Sequence, residues 1–238
     1  MSKWALCWQG YRATMPLMVG VAPFGLVFGA IAIGNGISII EAVGMSIIVL
    51  AGSSQFIGAQ LIGDDTPILI VILTTFVVNL RHFLYSASLA SFIRPLNKGW
   101  KGLLAYMMVD EVYAIVIIRH LKRDLSPLEL AWFFTGSGIC LISLWWASTL
   151  AGALIGDVLP AETVSALSFT LPLIFTAIVV PALKTRPMLF ASLSASVTGI
   201  ICAPMPNKLG LLIAAAVGIA AGLWSESQIK PAPSQEVA

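Results

Sequence analysis

Five stretches of this chain, residues 13–40, 42–63, 130–156, 163–183 and 187–207, contain no Asp, Glu, Lys or Arg. Each reaches the roughly 20 residues that a helix needs to cross about 30 Å of hydrocarbon. A sixth run, 209–225, is slightly shorter, and two more apolar segments, 66–93 and 102–118, carry charges inside them. In lipid only helices and closed barrels satisfy every backbone N–H and C=O. The expected fold class is therefore all-α: a polytopic membrane protein with seven to eight transmembrane or re-entrant helices, some interrupted by Pro or Gly.

Composition agrees with that solvent. Only 10% of the 238 residues are charged and 58% are hydrophobic, against about 25% charged in a typical soluble domain. This excludes a disordered chain, a nucleic-acid binder and an ordinary soluble enzyme, and leaves membrane lipid as the surrounding partner. A formal net charge of +2 is too small to imply a polyanionic partner. Cys7, Cys140 and Cys202 are an odd number without CxxC spacing, so neither a disulfide framework nor a metal site is expected, and no cofactor.

Lys3 and Arg12 before an apolar stretch ending in Ala30-Ile31-Ala32 imitate a cleavable secretion signal. The apolar run continues to Ile40, longer than a signal core, and reads as a membrane helix. No linker separates soluble domains, so 1–238 is expected to be one membrane domain, with 13–224 embedded and 225–238 an exposed tail. Positive clusters fall at Lys3/Arg12, Arg94/Lys98/Lys101, Arg119/Lys122/Arg123 and Lys184/Arg186, and acidic ones at Asp64/Asp65 and Asp157/Glu162. If positive loops stay cytoplasmic, residues 13–63 must cross an odd number of times and 102–118 must enter and return. Either some segments are re-entrant or broken, or the charge rule is overridden.

The intramembrane polar residues are the candidate site. Segment 66–93 has its midpoint near Asn79-Leu80-Arg81-His82, and segment 102–118 has its midpoint at Asp110-Glu111. A charged side chain at the bilayer centre costs about 2.5–3.5 kcal/mol on insertion scales. Arg81, Asp110 and Glu111 must therefore face protein or water, and they are expected to meet. Helical spacing puts Thr75, Asn79, His82 and Ser86 on one stripe, and Tyr106, Asp110 and Tyr113 on another, with Glu111 turned about 100° away. His82 is a candidate proton relay because its ordinary pKa lies near 6.5. Arg81 clamped by Asp110 or Glu111 fits a structural ion pair, or a midplane cavity that binds a zwitterion and moves protons.

Gly52-Ser53-Ser54-Gln55 lies at the centre of 42–63. Small residues there either pack helices closely or open a helix, presenting free N–H groups and a positive dipole end. Pro23 and Pro172 sit near the centres of their segments in faintly similar surroundings, APFGLVFGA and LPLIFTA. Such Pro/Gly interruptions in corresponding places mark transporter sites.

The stretches AGSSQF (51–56), NLRHFLYSASLA (79–90), VDEVYA (109–114) and LPLIFTAIVVPAL (171–183) resemble, in that order, the marker stretches of the azaleucine-resistance (AzlC) family. The resemblance runs from about Gly20 to Gly222. It implies the large subunit of a bacterial branched-chain amino-acid exporter, in the inner (cytoplasmic) membrane. It also implies a small hydrophobic AzlD-type partner subunit, and valine, leucine, isoleucine and often methionine as substrates. Ser53 stands where the family carries Ala.

Depth and charge then suggest roles for such a substrate. Arg81, with donors from Ser53, Ser54 and Gln55, suits the carboxylate. Asp110 or Glu111 suits the ammonium, Phe24 and Phe56 suit the aliphatic group, and Asn79 and Tyr113 complete the polar lining. No GxxxxGK[ST] loop is present, so a proton gradient acting on His82, Asp110 or Glu111 is the expected driver. An uncoupled channel or structural subunit is the alternative. An intramembrane hydrolase built on Gly136-Ser137-Gly138 is a weaker rival, since only His82 and His120 could supply an imidazole base.

Overall fold

The computed structural model describes residues 2–122, 125–158, 160, 176, 180, 183–205 and 209–228. No strand occurs among them. Backbone packing divides the chain into two compact units, Met1–Asp65 with Val78–Ser168 and Thr66–Val77 with Phe169–Ala238.

The first unit is organised by two long apolar helical runs. Helix α1 (Lys3–Thr14), a 3₁₀ turn (Met15–Leu17) and α2 (Met18–Gly34) form one run of 32 residues, and α9 (Pro127–Val158) forms another of 32. At 1.5 Å per residue each is about 48 Å long, more than enough to cross the hydrocarbon. They run parallel, because their contacts advance together: Gly136 lies on Cys7, Gly10 on Phe133, Gly25 on Ser148, Gly29 on Thr149 and Gly156 on Ala30. At Gly10, Gly29 and Gly136 a Cβ would collide with a backbone carbonyl of the facing helix. Small residues let backbones approach closely where lipid offers no hydrophobic drive. The hydroxyls of Thr14 and Ser137 close the seam at 2.6 Å.

Between these runs lie two hairpins of half the membrane depth. Helices α3 (Ile39–Ile48) and α4 (Gly52–Gly63) have 10 and 12 residues, about 15 and 18 Å. Gly63 returns to Asn35, beside the start of α3, so the pair enters and leaves at one end. That end carries Glu41, Asp64, Asp65 and Asp157. A capping box, Ser38 with Glu41, starts α3.

The second hairpin is α7 (Lys98–Tyr106) with α8 (Asp110–Lys122). Its start and finish both lie at the opposite end. Trp100 meets Trp132 at 5.2 Å, Trp4 meets Trp132 at 6.3 Å, and Arg119 donates to Gln9 and sits over the Phe133 ring. Helices α5 (Ile68–Asn79) and α6 (Arg81–Ile93) form a membrane-length run of 26 residues interrupted at Leu80. The end of α6 reaches the same basic end, where the Phe92 ring meets His120 at 4.1 Å, tilted by 52°.

In the second unit, α10 (Arg186–Ile201) and α11 (Leu209–Ser227) form an antiparallel pair. Phe190 meets Trp224, Ala191 meets Gly222, Ala195 meets Gly218 and Cys202 meets Gly210.

The structure bears on several of these expectations. Among the described residues four helical runs are long and apolar enough to cross a membrane: Lys3–Gly34, Ile68–Ile93, Pro127–Val158 and Leu209–Ser227. Segments 42–63 and 102–118 fold back, the re-entrant option that the charge placement left open. The first helical run starts at Lys3, and α11 ends at Ser227. Pro23 does not break its helix: α2 runs through it. Proline removes one N–H···O bond there, a loss that membrane helices absorb by local adjustment. The irregular turn falls at Met15–Leu17, which holds Pro16. Pro172 lies outside the described residues.

Candidate functional site

The first hairpin is broken at residues 49–51, where Leu50 takes a positive φ of 46°. Helix α4 restarts at Gly52, and its first intrahelical bond runs from the Gln55 N–H to the Ala51 carbonyl. Gly52, Ser53 and Ser54 precede that bond, and no side chain caps the helix, so α4 presents a positive dipole end. The second hairpin is broken at Met107–Val109, and Asp110 and Glu111 form the first turn of α8. Acids are favoured at that position by the same dipole.

Arg81, the first residue of α6, joins the two restarts. Its Nη1 lies 2.7 Å from Asp110 Oδ2 and its Nη2 donates to Ser53 Oγ at 2.6 Å. The pair is neither sealed nor fully wet: the Arg81 side chain is 30% exposed and that of Asp110 37%. Arg81 Nε is buried with no hydrogen-bond partner, as is Asn79 Oδ1. Asn79 Nδ2 donates to Ser54 Oγ at 3.2 Å. One unpaired donor, Arg81 Nε, and two unpaired acceptors, Asn79 Oδ1 and Asp110 Oδ1, thus lie at the ion pair.

Other sequence candidates fall at different distances from this centre. His82 donates from Nδ1 to the Asn79 carbonyl at 3.1 Å, which leaves Nε2 as the acceptor nitrogen. Its ring meets Tyr85 edge-on at 5.8 Å, and Tyr85 stacks on Tyr113 at 4.3 Å. The Tyr113 hydroxyl donates to Ser88. Glu111 makes no ion pair among the described residues, so Asp110 is the partner of Arg81. Tyr106 does not share the face of Asp110 and Tyr113, because the break at Met107–Val109 intervenes. Its hydroxyl donates instead to the Ile47 carbonyl at 2.7 Å, tying the end of α7 to the end of α3.

Gln55 and Phe56 are held by other partners in the interior. Both are fully buried. Gln55 spends both amide groups inside the protein, accepting from Ala51 N–H and donating to Ser46 Oγ. Phe56 sits 4.6 Å from Phe24 and 5.4 Å from Phe28, and Trp145 stacks on Phe28 at 6.1 Å. This aromatic floor lies beside Gly52, where an added Cβ would come 3.2 Å from Trp145 and 3.4 Å from Phe24.

Ser46, Trp145, Trp146 and Thr149 escaped the sequence reading. Ser46 bonds Thr149, 103 residues away, and such pairing leaves no trace in hydropathy. Ser137 is part of the α1–α9 seam, with its hydroxyl held by Thr14.

Fold and site together define a multi-pass helical membrane protein with broken half-depth hairpins meeting at an Arg–Asp pair. The AzlC protein family matches residues 16–159, which include every element of this site. The chain belongs to that family. Inner membrane protein YgaZ of Escherichia coli is 28% identical over 225 residues, covering 91% of each chain. An uncharacterized membrane protein of Archaeoglobus fulgidus is 29% identical over 188 residues, 78% of this chain and 80% of the other. The branched-chain amino acid transport protein AzlC of Bacillus subtilis is 29% identical over 163 residues, 66% of this chain and 61% of that protein. No solved structure matches this chain.

Proposed function

We propose that this protein is the large subunit of a proton-coupled exporter of valine, leucine, isoleucine and methionine in a bacterial cytoplasmic membrane, working with a small hydrophobic AzlD-type subunit. The observation that carries the reading is Arg81, held between Ser53 and Asp110 at the restarts of two broken helices. A zwitterion needs an anion site and a cation site a few ångströms apart. The guanidinium and the free N–H groups of α4 supply the first. Asp110 and the unpaired Asn79 oxygen supply the second. The aromatic floor beside Gly52 offers an apolar surface to an aliphatic side chain.

Three charges, Arg81, Asp110 and Glu111, sum to −1. A proton carried by Glu111 cancels that charge, so this carboxylate is the coupling group and His82 is its alternate. The topology of the reading follows the positive charges: Lys3, Arg94, Lys98, Lys101, Arg119 and Lys122 share the cytoplasmic side.

The test is counterflow of labelled valine, leucine, isoleucine and methionine into vesicles holding this chain with and without the small subunit. Saturable flux that a protonophore abolishes supports the reading; linear, protonophore-insensitive leak contradicts it and favours the channel. Glu111→Gln should retain exchange but lose accumulation against a gradient. Full accumulation by Glu111→Gln removes Glu111 from the coupling role.

A further inference from the structure

The break between α3 and α4 is stabilised by a knot of buried polar groups. Gln55 Oε1 accepts from Ala51 N–H at 3.2 Å, and Gln55 Nε2 donates to Ser46 Oγ at 2.9 Å. Ser46 Oγ shares a hydrogen with Thr149 Oγ1 on α9 at 2.9 Å. The Ser46 carbonyl accepts from Trp146 Nε1 at 3.1 Å, and the Ala51 carbonyl accepts from Ser54 Oγ at 2.9 Å. Ser46, Gln55, Ser54 and Thr149 are all buried.

Orphan groups at helix ends inside a membrane must find partners. Here one side chain, Gln55, spans the break and links it to a membrane-length helix. The knot also holds Leu50 at φ 46°, a region that costs a non-glycine residue roughly 1–2 kcal/mol. Such strain persists only where the surroundings over-determine it. The two residues between the strap and Gly52 are Ser53 and Ser54, and these hold Arg81 and Asn79.

We infer that Gln55, acting with Ser46 and Thr149, is a positioning residue: it fixes the restart of α4 so that the Ser53 hydroxyl and the free N–H groups face Arg81, and it does not itself touch the transported molecule. The inference rests on the transport reading for its effect on substrate, but its geometric part stands without it.

The experiment uses the full chain in vesicles and two readouts. The first needs no substrate: the rate at which a methanethiosulfonate reagent modifies Ser53→Cys after replacement of Cys7, Cys140 and Cys202. Adding Gln55→Met, which matches glutamine in length but makes neither hydrogen bond, should change that rate at least about tenfold, since even one lost buried hydrogen bond is on that scale. Leu50→Gly, which adopts positive φ freely, should recover part of the change. The second readout is valine counterflow with Ser53 intact. Gln55→Met should raise KM about tenfold with Vmax within about twofold, the signature of a misplaced binding group rather than lost protein.

Should Gln55→Met not accumulate, Thr149→Val tests the same knot more gently, and Thr149→Ser, which keeps the hydroxyl, should behave as the unaltered protein. Unchanged modification rates and unchanged KM in both Gln55→Met and Thr149→Val overturn the inference, as does a fall confined to Vmax. A changed modification rate in a protein that moves no valine overturns the transport reading while leaving the positioning role in place.

Discussion

The two half-depth hairpins perform the same manoeuvre with different chemistry. The turn of α3–α4, Val49-Leu50-Ala51, has apolar side chains, but the Ala51 N–H and carbonyl bond to Gln55 and Ser54, and Trp146 holds the preceding turn of α3 through the Ser46 carbonyl. The turn of α7–α8 is Met107-Met108-Val109, buried but apolar, with Met107 resting on Gly138 and Ser86 reaching only the Met108 sulfur at 3.7 Å. A satisfied polar network specifies one arrangement, whereas methionines repack at low cost. One hairpin is thus fastened to the scaffold at its turn, whereas the other is tied at its far end, by Arg119 to Gln9, and its turn rests on α9 through Met107. Among the described residues two polar ties run between the hairpins: Asp110 through Arg81, and the half-exposed Tyr106 hydroxyl to Ile47. In an alternating-access cycle, α7–α8 is the element suited to move.

The largest effect should come from Arg81, which bonds to both hairpins. Arg81→Ala should bring transport to background and lower the amount of membrane-inserted protein, read by quantitative blotting beside the flux assay. Arg81→Lys keeps the charge but cannot hold Ser53 and Asp110 with a planar fork. Loss of one charge-assisted hydrogen bond, about 1.5–3 kcal/mol, should lower transport efficiency at least about tenfold. Undiminished transport by Arg81→Lys removes the clamp role.

A matched pair of substitutions addresses the contrast more finely, because Trp146 and Tyr106 donate to neighbouring carbonyls, Ser46 and Ile47. Trp146→Phe strips a donor from the fastened hairpin and should cost about 1–3 kcal/mol of stability, measured by unfolding in detergent. Tyr106→Phe breaks a tie that is 39% exposed at the tyrosine. It should cost less than about 1 kcal/mol yet alter the turnover rate. Equal stability losses in the two variants would erase the distinction between the hairpins. Met108→Leu should be the mildest change, within about 1.5 kcal/mol as a volume-conserving swap.

The helical class, the membrane setting and the meeting of Arg81 with an acid were legible because charge and hydropathy are local properties of sequence. The hairpins were legible only as a puzzle of charge placement. Residues 42–63 form an uninterrupted apolar run long enough to span, and Gly52-Ser53-Ser54 was its sole internal cue. The second turn, Met107-Met108-Val109, contains no Gly or Pro, so the continuous helix that placed Tyr106 beside Asp110 was the natural reading. Pro23 misled in the other direction, because a single missing N–H does not end a helix packed along its length on α9. Gln55 reads as a ligand contact in the sequence because its strap depends on Ser46 and Thr149, and that pairing is set by the packing of α3 on α9 rather than by any spacing.

The central claim is that the two hairpins enter from opposite faces and return. It is tested most directly by modifying single cysteines with a membrane-impermeant thiol reagent, in sealed vesicles of known orientation and otherwise lacking cysteine. Ser38→Cys and Asp64→Cys should react from one face, and Lys98→Cys and Lys122→Cys from the other. If Ser38→Cys and Asp64→Cys react from opposite faces, residues 39–63 cross the membrane and the account is contradicted.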